Sequence, residues 1–168
     1  MSFALRTTFY SLTLAFGVFQ TIVACMNTIF SEYGFAPFMQ IFAGITLGWA
    51  TITWIWTSVL LSYNNRPLSS HGLTRALPHF ASFTVFAVGW LALTIMLGQQ
   101  FPLQCDFKAY SDGEAYLWCP LGATSFGLSF VLFAFCVTSA AIVYFSARRT
   151  GAGLSANVAH ADKMESTA

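Results

Sequence analysis

The residues best suited to chemistry lie in one short segment, CDFKAYSDGEAYLWC, which runs from Cys105 to Cys119. It holds two of the four cysteines and four of the thirteen charged residues. Such thiols can pair as a structural disulfide in an oxidising compartment or act as a redox couple. Catalytic couples usually have the spacing Cys-x-x-Cys, which this chain lacks. The spacing therefore favours a structural Cys105–Cys119 disulfide, which would remove on the order of 3 kcal/mol of unfolded-chain entropy.

Side chains that could serve catalysis or bind a metal are few elsewhere in the chain. His71, His79 and His160 fall in or beside connecting segments, whereas bundles hold metal or haem between side chains of facing helices. The sequence has no phosphate-binding loop and no nucleophile elbow. We therefore expect no catalytic residue, metal site or cofactor, and no nucleic-acid partner. A quinone-linked or lipid-modifying membrane enzyme is an alternative that a bound redox cofactor would support.

The elements that must position these residues are apolar helices. Hydrophobic residues make up 57% of the chain, charged residues 8%, and eighteen residues are Phe. Uncharged stretches longer than the roughly 20 residues that cross a bilayer are separated by turn residues. The sequence predicts an all-α membrane protein, a four-helix transmembrane up-down bundle. Its helices are expected near residues 8–30, 37–62, 79–99 and 120–146.

The distribution of basic residues predicts the orientation of this bundle. Residues 1–149 are expected to form the membrane domain, and the small, polar residues 150–168 a disordered cytoplasmic tail. Six of the seven basic residues flank the predicted helices on one side: Arg6, Arg66, Arg75, Arg148, Arg149 and Lys163. That side is cytoplasmic by the positive-inside rule. Both termini are then inside, and the disulfide faces the oxidising outside.

The first predicted helix contains a sequence that resembles a bacterial lipoprotein cleavage box, Ile22-Val23-Ala24-Cys25. The apolar run continues past Cys25 to Phe30, and three more spans follow. A retained first helix is therefore favoured over a cleaved signal.

Small and polar residues form stripes of heptad spacing on the predicted helices. In lipid, small residues let helix backbones approach and polar residues bond across helices, so we expect these stripes to face protein, in a left-handed bundle. The match Gly44-x-x-x-Gly48 also suits a second copy of the chain, although packing within the bundle is favoured. Gln20 and Asn27 could instead line a pore in an oligomer. The predicted packing residues are Gly17, Gln20, Ala24, Asn27, Gly44, Gly48, Thr51, Gly89, Ala123, Gly127 and Ala134.

Two segments at the predicted cytoplasmic helix ends match patterns proposed for sterol contact. One runs from Leu60 through Tyr63 to Arg66, and the reverse pattern runs from Arg6 through Tyr10. Ordinary interfacial anchoring is the favoured explanation, with tyrosine at the headgroups and arginine reaching towards water.

The predicted spans contain no Asp, Glu, Lys or Arg. Ionisable residues inside the membrane are the usual marker of proton relays and ion pathways. A charge-coupled transporter is therefore disfavoured. A small oligomeric channel or carrier for uncharged solutes remains an alternative.

The arrangement as a whole resembles the MARVEL-domain proteins, and the small fungal members are closest in style. The resemblance rests on four spans, internal termini, a very short first outer loop, and a second outer loop that opens with Cys105 and closes with Trp118-Cys119-Pro120. It implies a non-enzymatic role in membrane apposition, vesicle trafficking or the organisation of sterol-rich membrane domains, in the plasma membrane or secretory vesicles. Other membrane proteins, or further copies of the chain, would be its partners.

Overall fold

The computed structural model is all-α, and it describes residues 3–30, 37–64, 72–105, 115–149, 153–155 and 157. Short 3₁₀ turns cover Gly72–Thr74 and Gly153–Ser155, and no strand occurs in the described residues. The predicted all-α fold of four long helices is confirmed. The helices are α1 (Phe3–Phe30), α2 (Pro37–Tyr63), α3 (Ala76–Gln104) and α4 (Ala115–Arg149).

Each long helix contains a stretch that is long and apolar enough to cross a membrane. Large apolar side chains are exposed along all four helices, as lipid-facing surfaces require. The chain is therefore a multi-pass membrane protein. Exposed examples are Phe19, Ile22, Ile41, Ile45, Val85, Val88, Phe130 and Phe145.

Three helices begin earlier than the sequence predicted. α1 begins at Phe3, so that Arg6 lies inside it. α3 begins at Ala76 and carries Pro78 in its first turn, where a proline is tolerated because the first N–H groups of a helix have no intrahelical acceptor. α4 begins at Ala115 and contains Pro120. The helices are thus longer than the predicted spans, and the added turns carry Arg6 on α1 and Arg148 and Arg149 on α4.

The helices pack as two close pairs, α1 with α2 and α3 with α4, and α1 joins the pairs by packing on α4. The backbones of α2 and α3 approach each other much less. The core between the helices is built around large side chains with no exposed surface, including Tyr10, Phe83, Trp90 and Leu132. The left-handed sense of the bundle stays a prediction.

Tryptophan side chains fill the wider gap between α2 and α3. Trp49 lies against Gly89, where a Cβ atom would overlap its indole ring. Trp56 lies two turns further along α2, and its Nε1 donates a hydrogen bond to Ser82 Oγ at 2.8 Å. Indoles need partners of small volume, so Gly89 and Ser82 occupy matching positions seven residues apart on α3. Gly89 therefore faces another helix, as predicted.

The buried face of α2 is a heptad stripe different from the predicted one. Gly44 and Gly48 are exposed, and a Cβ atom at either would meet nothing within 4 Å. The expectation that they pack inside the bundle is wrong. The predicted heptad period is present on α2, but two stripes of residues have it, and neighbouring helices cover the second stripe. That stripe consists of Ala43, Thr46, Ala50, Thr53, Thr57, Leu60 and Asn64.

The predicted packing residues of the other helices differ in how deeply they are buried. On α1 the predicted stripe is the inward one: Gln20 and Ala24 are fully buried, and a Cβ at Gly17 would lie 3.1 Å from Trp54 Cβ. On α4 the buried positions are neighbours of the predicted ones and include Ser125, Ser129, Leu132 and Cys136. The remaining predicted packing residues are only half-buried: Asn27, Thr51, Ala123, Gly127 and Ala134.

Part of the tail that was expected to be disordered is structured. Gly153–Ser155 forms a 3₁₀ turn, Leu154 packs against the hydrophobic core, and Asn157 forms an isolated antiparallel bridge with Arg75. Leu154 supplies an apolar anchor in an otherwise small and polar segment, which explains the difference. Other tail residues lie outside the described part of the chain.

Candidate functional site

A group of polar side chains joined by hydrogen bonds lies at the bundle end formed by the start of α1, the end of α2 and the start of α3. We call this group the polar end cluster. Its side chains come from separate elements, so it exists only in the folded bundle. Its members are Arg6, Thr7, Tyr10, Asn64 and His79, together with the carbonyl group of Leu73.

Arg6 and Asn64 join α1 to the end of α2. Arg6 Nε donates a hydrogen bond to Asn64 Oδ1. The Asn64 amide in turn donates to Thr7 Oγ1 at 3.1 Å. Arg6 and Asn64 are each 1% exposed. A guanidinium group is costly to bury and needs hydrogen-bond acceptors where it is buried, so Asn64 supports Arg6 in this position.

His79 joins α3 to both α1 and the 3₁₀ turn before it. Its Nε2 lies 2.9 Å from the Leu73 carbonyl oxygen and its Nδ1 lies 3.0 Å from Tyr10 Oη. A carbonyl oxygen can only accept, so Nε2 carries the proton. In the neutral ring Nδ1 then accepts the Tyr10 hydroxyl proton. The Tyr10 ring also stacks on His79 and contacts Phe83.

These contacts overturn the expected exposure of the sterol-pattern residues. Arg6, Tyr10 and Leu60 are buried within the bundle, so neither sterol contact from the lipid side nor interfacial anchoring describes them. Tyr63 is half-buried, and Arg66 lies outside the described residues. The tyrosine and arginine point inward because the bundle supplies hydrogen-bond partners there. The α1 stripe continues back from Thr13 to Tyr10 and Arg6 at heptad spacing, and this signal could have revealed the burial.

A second polar contact lies between α1 and α4. Gln20 Nε2 donates to Ser125 Oγ at 2.9 Å and reaches Ser129 Oγ at 3.3 Å. Gln20 therefore bonds across helices, as the favoured interpretation predicted. Its Oε1 is buried without a hydrogen-bond partner in the described residues. Neither serine is among the predicted packing residues, although their spacing of four residues places them on one helix face.

Most buried threonines bond within their own helix. Their hydroxyl groups donate to the carbonyl oxygen four residues earlier, which satisfies the donor without a partner helix. These hydroxyl protons are thus committed locally and do not extend the contact at Gln20. The residues are Thr13, Thr46, Thr53, Thr57 and Thr94.

The predicted disulfide forms. Cys105 and Cys119 are bonded, with their Cα atoms 4.8 Å apart. The bond joins the residue directly after α3 to the first turns of α4, as expected for a covalent cap on this helix pair. The charged residues between these cysteines, such as Asp106 and Lys108, lie outside the described residues. Of the remaining cysteines, Cys136 is buried and Cys25 is exposed.

The described residues contain no group of three or more His, Cys, Asp or Glu side chains placed to hold a metal ion. No family model, curated protein or solved structure matches the chain. The MARVEL resemblance therefore stays a prediction. The polar groups of the polar end cluster and of Gln20 form hydrogen bonds between helices. The chemical role that this geometry supports is to hold the helices together.

Proposed function

We propose that this protein is a non-enzymatic organiser of membrane domains that works by lateral association with lipids and other helices. The observation that carries the proposal is the division between interior and exterior. Arg6, Gln20 and His79 are buried and make hydrogen bonds inside the bundle, while large apolar side chains cover the outside. Such a surface can recognise bilayer thickness and neighbouring helices, and many copies would sort membrane laterally.

The exposed face of α2 supports association with a second copy. Gly44 and Gly48 leave a shallow strip with nothing within 4 Å of their missing Cβ positions. Ile41, Ile45 and Ile52 flank the strip and are about half exposed. Helices in membranes pack closely at such small-xxx-small faces because dispersion contacts replace the missing hydrophobic effect. Packing of Gly44 and Gly48 against a second copy of the chain is the alternative to packing within the bundle that the sequence left open.

The MARVEL-like topology extends the proposal to a cellular setting. It implies sterol-rich patches or vesicles of the plasma and secretory membranes, with roles in trafficking or membrane apposition. A fluorescently tagged protein should then form patches that disperse when sterol is depleted. A uniform distribution that ignores sterol would contradict this role.

The α2 face can be tested with native mass spectrometry of the protein in lipid nanodiscs. Gly48→Leu should reduce the copy number, because a leucine on the strip keeps two backbones apart. Val88→Leu is the matched control, since Val88 is 65% exposed on α3 and its neighbour Gly89 is covered by Trp49. Equal copy numbers for wild type and both variants would contradict association through α2.

A small channel or carrier for uncharged solutes is the second candidate. The observation that favours it is Gln20 Oε1, an acceptor without a hydrogen-bond partner inside the described bundle. Selective solute flux in reconstituted liposomes that Gln20→Leu abolishes would support this function. Absence of flux would leave the organising role as the better proposal.

A further inference from the structure

Residues 153–155 follow α4 in the sequence and lie against the helix bundle. Gly153 has a φ of 62°, a left-handed backbone conformation that glycine adopts at little cost. The 3₁₀ turn that it begins lies against both α4 and α3. Leu154 is half-buried and packs against the hydrophobic core. We call residues 153–155 and 157 the C-terminal strap.

The strap reaches the connection that leads into α3. Asn157 forms its antiparallel bridge with Arg75, the residue between the 3₁₀ turn and α3. The Arg75 amide also donates to the Gly72 carbonyl oxygen at 3.2 Å, which closes the turn. The C-terminal strap therefore holds residues 72–75 in place.

The same connection is held from the bundle side by His79. The imidazole bonds the Leu73 carbonyl at one nitrogen and Tyr10 of α1 at the other. A continuous set of contacts thus runs from the strap through residues 72–75 and His79 to α1. Buried hydrogen bonds of this kind resist local opening, whereas a short turn without them opens readily.

We propose that the C-terminal strap is a releasable clasp that controls how firmly residues 72–75, and through His79 the start of α1, are held in the bundle. The clasp is suited to release because Leu154 is the only large apolar side chain among residues 153–155 and 157, so that its removal from the core takes away the apolar anchor. A protein partner with an apolar groove for Leu154 would compete with the core for the same side chain. Capture of the strap would then weaken the contacts that hold the polar end cluster together.

The test is hydrogen–deuterium exchange of the full chain in nanodiscs. Leu154→Ser removes the anchor, and Gly153→Val disfavours the left-handed turn without touching the anchor. Each variant should speed exchange of the amides at residues 72–76 by about tenfold, with a smaller increase at residues 6–12. Exchange in the middle of α2 should not change.

Leu77→Ser is the matched control, because Leu77 is 53% exposed at the same end of α3 and takes no part in the clasp. It should leave exchange at residues 72–76 as in the wild type. Tyr10→Phe should speed exchange at residues 72–76 while leaving the strap in place, since it removes only the hydroxyl at His79 Nδ1. Unchanged exchange at residues 72–76 in both strap variants would overturn the proposal. Equal acceleration throughout the chain would also overturn it, because it would indicate general unfolding.

Discussion

α2 and α3 can pack against each other because Gly89 has no Cβ atom. A Cβ atom there would overlap the Trp49 indole, and this ring also meets Phe86 edge-on at a centroid distance of 5.7 Å. Phe86 therefore limits the movement of the indole on one side. Gly48, one residue before Trp49, has open space around it.

We predict that Gly89→Ala destabilises the bundle by about 1–3 kcal/mol, the usual cost of overpacking a filled interior. Gly48→Ala should change stability little, and a slight gain is expected from the better helix propensity of alanine. Thermal unfolding in detergent, followed by circular dichroism, measures both. Equal melting temperatures for the two variants would mean that Trp49 moves aside freely.

At the scale of elements, the Cys105–Cys119 bond ties α3 to α4 at the end of the bundle opposite the polar end cluster. Cys105→Ser and Cys119→Ser remove the same bond, so each should lower stability by a similar amount. The expected size is about 3 kcal/mol, which reflects the closed loop lost from the unfolded chain. The melting temperature of each single variant and of the double variant checks this.

The double variant is the internal control for the disulfide. If each cysteine acts only through the shared bond, the double variant should be no less stable than either single one. Clearly different single variants would indicate a separate role for one thiol, such as a mixed disulfide with a partner.

At the scale of the whole molecule, the prediction still to be tested is the orientation of the bundle in the membrane. Six of the seven basic residues lie on one predicted side, so cysteines introduced at Ser69 and Ser155 should react with an impermeant thiol reagent only after cells are permeabilised. A cysteine at Ser111 should react in intact cells. The disulfide cysteines are kept, and Cys25 is replaced by Ser because it is exposed. Reaction at all three sites in intact cells would refute the orientation.

The sequence by itself determined the number of helices, their approximate positions and the disulfide. These features depend on local composition: an uncharged apolar run must satisfy its own backbone hydrogen bonds in lipid, and helices do so within the run. The cysteine pair could be predicted because the two thiols flank one short connection between consecutive helices. None of these inferences required knowledge of which helices are neighbours.

Only the tertiary structure decided which face of each helix is covered. Heptad spacing places Gly44 and Gly48 on one stripe of α2 and Thr46 and Thr53 on another, and both stripes fit the period equally well. The choice depends on the shapes that other helices present, such as the space at Gly89 of α3 that receives the Trp49 indole of α2. Burial of Arg6 and His79 likewise required partners, Asn64 and Tyr10, that are more than 50 residues away in sequence. Local patterns carry the period of a helix, whereas contacts between distant residues select its inward face.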